Sequence, residues 1–482
     1  MNRPLRRLAI AVMVLFGMLL INVNYVQVVK ADKYSEHPNN VRRLIDAYER
    51  KRGPILAGDV EVARSTETEG RLKYLRTYPG GSAFAPVTGY ISLFTANGLE
   101  REENDYLSGE ASALFTRRIS DLVTGREQQG SAVVLTVDPK VQRAAYEALG
   151  GRRGAVVALD PRTGAILAMV SSPSYDPSRL TQHDTEAVSA ASKQLTADED
   201  RPLVNRALSE TYPPGSIFKL VTAAAALKDG RYSNDSKVPA PDELDLPQTE
   251  SVIRNFGRSR CSDGKTDTLI HAMEISCNTA FAALGLELGD DALREQAEAF
   301  GFGESFEIPM TSGASRYPED LDAPQTAQSA IGQFDVRITP LQAAMLSAGI
   351  ANGGVVQRPY LVKSVQTPNL ETIQRDPPGE LGRAVSDNVA SQLTEMMKRV
   401  VQSGSATRAQ IPGIDVAGKT GTAQHAKGQA PHAWFTGFAP ADDPQVAVAV
   451  LVERGGDLGA EATGGRLAAP IARAVISAAL DR

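Results

Sequence analysis

A serine and a lysine three positions apart are the residues whose types and spacing point most directly to chemistry. Ser216 and Lys219 follow a Tyr-Pro-Pro-Gly break at 212–215 and open an apolar run that is typical of a helix. Residues three apart share one face of a helix, so we expect the two side chains to touch. A desolvated lysine can be neutral and can take the proton of the serine hydroxyl. The pair therefore predicts a nucleophilic serine with a lysine base.

The spacing alone is weak, because a serine at a helix start is most often only an N-cap. The same spacing also occurs at Ser262 and Lys265. This second pair encloses Asp263-Gly264, which is a turn signal, and no apolar helix follows it. Ser216 is therefore the stronger candidate, and further motifs have to support it.

Two further motifs follow along the chain. Ser276 and Asn278 form an S-x-N triplet, and Lys419, Thr420 and Gly421 form a K-T-G triplet. S-x-x-K, S-x-N and K-T-G in this order are the signature of the penicillin-recognising serine acyltransferases. With these motifs and their flanks, the sequence resembles the monofunctional (class B) penicillin-binding proteins over most of its length, most densely from about residue 154.

The resemblance implies a role for each motif residue. Ser216 would be the nucleophile, Lys219 the general base and Ser276 the proton relay to the leaving amine. The substrate would be bound by Asn278, Lys419, Thr420, Gly421 and Thr422. The backbone N–H groups of Ser216 and Thr422 would form the oxyanion hole. The chemistry calls for no metal and no organic cofactor.

The same resemblance implies a peptidoglycan D,D-transpeptidase that cross-links stem peptides through a Ser216 acyl-enzyme and is acylated by β-lactams. Three alternatives stay open. A D,D-carboxypeptidase differs only in letting water attack the acyl-enzyme. A β-lactamase of the same superfamily needs a deacylating glutamate, and its usual E-x-x-L-N arrangement is missing between Asn278 and Lys419. A non-catalytic sensor of β-lactams or muropeptides would not need Lys219 and Ser276.

Two other segments imitate functional motifs. Residues 386–388 read Ser-Asp-Asn, but a helix-like run follows them, which predicts that the serine is an N-cap. Residues 413–420 fit the phosphate-loop pattern G-x-x-x-x-G-K-T. Such a loop needs a strand before it and a helix directly after it, and the neighbouring proline and glycines disfavour both. We therefore assign neither segment to a functional site.

The N-terminus predicts a membrane anchor. Arg3, Arg6 and Arg7 precede an uncharged, mostly apolar stretch at 8–29 that is long enough to span a bilayer. Basic residues before the span predict a cytoplasmic N-terminus, with the catalytic part outside the plasma membrane. A cleaved signal peptide is the competing interpretation, but residues 29–31 make a poor cleavage site. The formal net charge of −6 argues against a nucleic-acid partner.

A chain of 482 residues predicts more than one domain. We expect an anchor at 1–30, a small, mostly β, non-catalytic dimerisation or pedestal module at 31–130, and a transpeptidase domain at 131–482. The transpeptidase fold is α+β, with an antiparallel sheet covered by helices and a helical subdomain. Its strands are expected at 132–137, 154–160, 164–170, 433–439 and 445–453. Without room for a glycosyltransferase domain before 131, we expect no glycan polymerisation.

The pairing of the two cysteines stays open. Cys261 and Cys277, the only cysteines, either form a disulfide beside the S-x-N motif or remain as two thiols. An extracytoplasmic location permits the disulfide. The resemblance also implies a membrane partner, a glycan polymerase of the shape, elongation, division and sporulation family.

Overall fold

The computed structural model describes residues 3–30, 48–69, 72–111, 114, 129–369, 371–374, 377, 379–424 and 428–481. Its strands are β1 (Ile55–Ala57), β2 (Val60–Glu67), β3 (Tyr74–Thr77), β4 (Ala132–Leu135), β5 (Gly154–Leu159), β6 (Ile166–Ser172), β7 (Lys237–Pro239), β8 (Glu243–Asp245), β9 (Val252–Arg254), β10 (Thr266–Thr268), β11 (Val355–Gln357), β12 (Val362–Gln366), β13 (Thr372–Gln374), β14 (Glu380–Arg383), β15 (Ala417–Ala423), β16 (His432–Ala439) and β17 (Val446–Val452).

The α-helices of the described residues are α1 (Arg3–Asn24), α2 (Gly81–Thr88), α3 (Gly98–Glu102), α4 (Asn104–Ser108), α5 (Pro139–Leu149), α6 (Thr185–Ala197), α7 (Lys219–Asp229), α8 (Leu269–Glu274), α9 (Asn278–Leu288), α10 (Asp290–Ala299), α11 (Ala323–Ser329), α12 (Pro340–Ala351), α13 (Asp387–Gln402) and α14 (Gly464–Leu480). Short 3-10 segments lie at Pro177–Leu180, Gly215–Phe218, Phe256–Arg258, Thr407–Ala409 and Glu453–Glu461.

Helix α1 stands apart from the rest of the chain. It continues through a π turn at Tyr25–Val29, and none of its residues is buried. The 27 residues of Arg3–Val29 are apolar enough to cross a membrane. At about 1.5 Å per residue they are also longer than the roughly 30 Å of a bilayer's hydrocarbon core.

The central sheet has five antiparallel strands in the order β15-β16-β17-β5-β6. Every residue of β5, β6, β16 and β17 is buried. Helix α14 packs on β16 and β17 beside α5, and α12 packs on the same two strands and on β5. Strands that are buried on both faces need such cover. The predicted α+β fold is confirmed, with one sheet assembled from two distant parts of the chain. The strand expected at 132–137 is present as β4 but lies in a different sheet.

A second sheet has six strands in the order β13-β12-β4-β1-β2-β3. Strand β4 begins at Ala132, where we expect the transpeptidase domain to start, and it runs parallel to β1 and antiparallel to β12. The sheet therefore contains segments from both sides of residue 131. Local sequence patterns do not reveal this pairing, because β12 and β13 come from far along the chain.

Helix α7 is the buried centre of the helical part. Its residues from Lys219 to Leu227 are all buried, and α9, α10 and α13 pack around it. Five of these residues are small, Thr222 and the run Ala223–Ala226, so the surrounding helices can come close. A helix that is covered on every side places its first residue, Lys219, in a dry environment.

The part of the chain before residue 131 contains a buried ion cluster, which we call the Glu100 cluster: Arg52, Arg76, Tyr78 and Glu100. Arg52 Nη2 lies 2.9 Å from Glu100 Oε2, and Arg76 Nε lies 2.6 Å from Oε1. Tyr78 Oη donates to Oε1 at 3.2 Å. Burial by itself would raise the pKa of Glu100, but the two guanidinium groups outweigh burial and lower it. The carboxylate therefore stays charged.

Glu100→Gln is expected to lower the free energy of unfolding by about 3 kcal/mol, because it leaves two buried arginines without their counter-charge. The measurement is urea unfolding of the full-length chain in detergent. The control is Glu61→Gln, which removes the exposed partner of Arg64 and should cost less than about 1 kcal/mol. Equal losses for the two variants would contradict the assigned importance of the Glu100 cluster.

Candidate active site

Side chains from three separate motifs meet around the hydroxyl of Ser276. Nζ of Lys219 lies 3.2 Å from Ser276 Oγ, 2.8 Å from Ser276 O and 2.7 Å from Asn278 Oδ1. Nζ of Lys419 donates to the same hydroxyl oxygen at 2.9 Å and to Thr420 O at 3.2 Å. The start of α7, the turn before α9 and strand β15 each supply one motif. The fold thus brings together residues that the sequence keeps far apart.

Ser216 is a half-buried residue of the 3-10 turn that leads into α7. Gly215 before it has a φ of +54°, a region that favours glycine. A Cβ on Gly215 would lie 3.0 Å from the carbonyl oxygen of Thr422, and one on Gly421 would lie 2.8 Å from that of Pro214. Because both positions are glycine, the turn can pack directly against β15. Ser216 therefore lies beside the K-T-G strand.

The sequence predicts contact between the side chains of Ser216 and Lys219. Among the described residues, no hydrogen bond joins the two, and Lys219 Nζ binds Ser276 and Asn278 instead. The two residues do not share a regular α-helical turn, because α7 begins only at Lys219. A buried amine also needs the acceptors within its reach, and the S-x-N motif supplies three oxygens. The S-x-N motif thus fixes the position of the Lys219 amine.

Burial sets the charge of both lysines, since each side chain is fully buried. Desolvation lowers the pKa of Lys219 well below its ordinary value, and the nearby charge of Lys419 lowers it further. Desolvation also lowers the pKa of Lys419, to about 7. Two cations are unfavourable in one small dry site. Lys219 is therefore the neutral amine that can accept a proton, and Lys419 holds its charge to higher pH.

The S-x-N residues have constrained positions. Ser276 has a φ of +61°, which a non-glycine residue rarely adopts and which often marks a functional site. Asn278 Oδ1 accepts from Lys219, and its Nδ2 donates to Arg254 O at 3.1 Å. A side-chain amide has one more N–H and one more lone pair to offer. Asn278 can therefore hold Lys219 and still contact a bound peptide.

Asn255 is a positioning residue that no sequence motif indicates. Its Oδ1 accepts from the backbone N–H groups of Asn278 at 2.8 Å and Thr279 at 3.1 Å, so it caps α9 from a distant part of the chain. Its Nδ2 donates to Ser259 O at 3.2 Å. An N-cap is normally sought directly before the helix, where Cys277 stands. Only the folded chain shows that Asn255 fills the role.

A disulfide joins Cys261 to Cys277, with their Cα atoms 6.1 Å apart. Cys277 lies between Ser276 and Asn278, so the bridge ties a neighbouring loop to the S-x-N motif. The sequence left this pairing open. A bridge across a sequence separation of 16 residues restricts the unfolded chain and limits the freedom of the loop.

The K-T-G residues lie on β15, the terminal strand of the central sheet. Thr420 Oγ1 lies 2.6 Å from Ser405 Oγ, and Thr422 Oγ1 accepts from the backbone N–H of Gly464 at 3.4 Å. Among the described strands, β15 pairs with β16 alone. A peptide that lies along the outer edge of such a strand can pair with its backbone.

The three segments that only resemble functional motifs have other roles or positions in the structure. Ser386 accepts from the backbone N–H of Val389 at 3.4 Å and caps α13, as predicted. Ser262 lies in an exposed turn with a φ of +48°, and β10 follows it. Residues 413–420 run directly into β15 and not into a helix, so they form no phosphate loop.

The fold and the lysine–serine–lysine geometry together define a penicillin-recognising serine acyltransferase. The family described as penicillin binding protein transpeptidase domain matches residues 154–477, and the penicillin binding protein A dimerisation domain matches residues 52–133. The chain belongs to the penicillin-binding protein transpeptidase family, and the resemblance to its class B members is confirmed.

Two named relatives match over the whole chain. Peptidoglycan D,D-transpeptidase PbpA of Mycolicibacterium smegmatis is 48% identical over 100% of this chain and 99% of that protein. The protein of the same name from Mycobacterium tuberculosis is 45% identical over the same shares. A solved ceftriaxone acyl-enzyme complex of M. tuberculosis penicillin-binding protein A has a TM-score of 0.88 and covers 90% of this chain and 100% of its own.

The two lowered lysine pKa values predict a bell-shaped pH dependence for acylation by a β-lactam. The rate falls at low pH, because protonated Lys219 cannot accept the Ser216 proton. It falls again above about pH 7, where Lys419 loses the charge that attracts a carboxylate. Stopped-flow acylation at a series of pH values measures the profile. In Lys419→Met the acid limb should move to higher pH, because the pKa of Lys219 rises when its cationic neighbour is removed. A flat profile would contradict the assignment.

Asn255→Ala is expected to lower the free energy of unfolding by about 1 kcal/mol through loss of the cap. It should also slow acylation, because α9 begins at Asn278, and the side chain of Asn278 accepts a hydrogen bond from Lys219. The control is Ser386→Ala, which removes the cap of α13 and should leave acylation unchanged. Parental acylation rates for both variants would show that Asn255 only stabilises the helix.

Proposed function

We propose that this chain is a peptidoglycan D,D-transpeptidase with Ser216 as its nucleophile. The observation that carries the proposal is the meeting of Lys219 and Lys419 on the hydroxyl of Ser276, beside the Ser216 turn. Full-length relatives bear this activity in their names. The acyl-enzyme complexes of the M. tuberculosis protein support a covalent intermediate and acylation by β-lactams.

In the first half-reaction, Ser216 Oγ attacks the penultimate D-alanine carbonyl of a stem peptide. Neutral Lys219 takes the hydroxyl proton as the new C–O bond forms. Ser276, 3.2 Å from Lys219 Nζ, passes a proton to the nitrogen of the terminal D-alanine as the C–N bond breaks. Free D-alanine leaves, and an acyl-enzyme ester remains on Ser216.

In the second half-reaction, the amine of another stem peptide attacks the ester carbonyl. Lys219 and Ser276 accept a proton from the amine and return one to Ser216 Oγ as the ester C–O bond breaks. The product is a new peptide bond between two stem peptides. The same residues therefore act as base in one direction and acid in the other.

Fixed dipoles and charge stabilise these steps. The backbone N–H groups of Ser216 and Thr422 bind the developing oxyanion, and each such donor typically contributes about 3–4 kcal/mol. Lys419, Thr420 and Thr422 bind the substrate carboxylate, and Gly421 keeps the β15 backbone open to a peptide. A β-lactam enters the same site because it also offers a carbonyl and a carboxylate.

The domain organisation and the location belong to the proposal. Residues 1–30 anchor the chain in the plasma membrane as a single span, with the N-terminus in the cytoplasm and the catalytic part outside. The length of α1 and the arginines before its apolar stretch support this. Residues 31–130 form the dimerisation or pedestal module, and 131–482 form the transpeptidase domain. A membrane glycan polymerase of the shape, elongation, division and sporulation family would contact the anchor or that module.

The proposal predicts a slowly lost penicillin adduct on Ser216. The full-length chain in detergent is treated with labelled penicillin and mapped by mass spectrometry. Ser216→Ala should carry no adduct, whereas Ser262→Ala, at the second S-x-x-K match, should be labelled like the parent. With a stem-peptide substrate and an amine acceptor, the parent should form a cross-linked product.

Other results would point to the alternatives. Release of D-alanine without a cross-link would indicate a carboxypeptidase, and rapid turnover of penicillin a β-lactamase. A folded chain that takes no label would favour a non-catalytic role.

A further inference from the structure

A second buried ion cluster includes Tyr212, four residues before the nucleophile, and none of the catalytic motifs includes the cluster. We call it the Glu453 cluster: Arg153, Arg206, Tyr212 and Glu453. Arg206 Nε lies 2.9 Å from Glu453 Oε1, and Arg153 Nε lies 2.7 Å from Oε2. Tyr212 Oη donates to Oε1 at 2.8 Å. Arg206 is fully buried, and Glu453 is 5% exposed.

The cluster joins the central sheet to the segment that enters the active site. Glu453 directly follows β17 and donates its backbone N–H to Arg153 O at 2.7 Å, at the start of β5. Arg206 and Tyr212 come instead from the loop that ends at Ser216. Because that loop has no helix or strand of its own between α6 and the 3-10 turn, its position depends on such contacts.

Tyr212 connects the carboxylate to the nucleophile turn. Its backbone exchanges hydrogen bonds with Ile338, each of 2.9 Å, and its ring packs edge-on against His432 and Trp434. Trp434 Nε1 then donates to Pro213 O at 3.1 Å. Four residues after Tyr212 comes Ser216, at the left-handed bend of Gly215. The phenol thus fixes one end of a short, rigid segment whose other end carries the nucleophile.

We propose that Glu453 is a positioning residue for acylation, acting through the Tyr212 hydroxyl to hold the 212–215 segment and so the backbone position of Ser216. The inference rests on the proposed role of Ser216. The Ser216 hydroxyl has no hydrogen bond to Lys219 among the described residues, so its place depends on its backbone. An error of about 1 Å in the place of a reacting group can cost about 100-fold in rate.

The charge of the cluster agrees with this role. Burial by itself would raise the pKa of Glu453, but the Tyr212 hydrogen bond and the two arginines outweigh it and lower the pKa. Burial and the Glu453 charge raise the pKa of Tyr212, so the phenol keeps its proton and remains a donor. A charged acceptor makes the hydrogen bond from Tyr212 stronger than one between neutral groups.

The Glu100 cluster supplies a matched control, because it has the same composition: one glutamate, two arginines and one tyrosine that donates to the carboxylate. It lies before residue 131, and in the described part of the chain none of its four side chains shares a hydrogen bond or ion pair with a residue of the three motifs. Tyr78→Phe and Glu100→Gln therefore repeat the substitutions Tyr212→Phe and Glu453→Gln outside the site, although Tyr78 Oη also accepts from the backbone N–H of Ile91 at 3.0 Å.

The test uses the full-length chain in detergent and a chromogenic cephalosporin. Stopped-flow traces separate the dissociation constant of the non-covalent complex from the first-order acylation rate constant, and thermal unfolding is measured in parallel. Tyr212→Phe is expected to lower the acylation rate constant about tenfold with little change in the dissociation constant. Tyr78→Phe should leave the rate constant unchanged. Tyr212→Phe should slow acylation less in the Glu453→Gln background than in the parent, since loss of the carboxylate charge already weakens the hydrogen bond that Tyr212 donates.

Either of two results would overturn the inference. Parental acylation by folded Tyr212→Phe would show that the cluster only stabilises the fold. Equal slowing by Tyr78→Phe and Tyr212→Phe would show a general effect of lost stability. Mass spectrometry of each variant tests the proposed function separately. An adduct that forms slowly on Ser216 of a variant agrees with both the proposed function and the positioning role. A parent that forms no adduct would contradict the assignment of Ser216 as the nucleophile.

Discussion

Two buried amines around one hydroxyl are the constraint on which the rest of the structure depends. Lys219 and Lys419 both lie within 3.2 Å of Ser276 Oγ, and neither is exposed to water. At most one of them holds its charge readily in such a place. The site therefore contains a neutral base beside a cation without any carboxylate in the motif, and the Ser276 hydroxyl can exchange protons with both.

This arrangement makes the folded state depend on pH. The pKa of each lysine is lower in the folded chain than in the unfolded chain, so unfolding takes up protons. Stability therefore rises with pH between the folded and unfolded pKa values, which for Lys419 means between about 7 and 10.5. Packing and cross-links around the two lysines offset the cost of burying them. Helix α7 is packed on all sides, while the Asn255 cap and the Cys261–Cys277 bridge hold the S-x-N turn.

Charge is also buried away from the reacting atoms, but there it is paired. The Glu100 and Glu453 clusters each place one carboxylate between two arginines and a tyrosine hydroxyl. Such clusters fix distant segments in one arrangement at the cost of desolvating several charges. In the catalytic domain the fixed segment leads to Ser216. Lys219 and Lys419 thus supply the reactive groups of the site, and the paired charges of the Glu453 cluster fix the segment that leads to Ser216.

The sequence by itself determined the motifs, their order and four strands of the central sheet, because these follow from local patterns and from S-x-x-K, S-x-N and K-T-G. It also excluded the second serine–lysine pair and the phosphate-loop pattern. Only the tertiary structure decided that Lys219 turns to Ser276 and Asn278, that Asn255 caps α9, and that β12 joins β4. Each of these contacts links segments far apart in the chain, so burial, distance and competing hydrogen-bond acceptors settle them, and no local pattern carries that information.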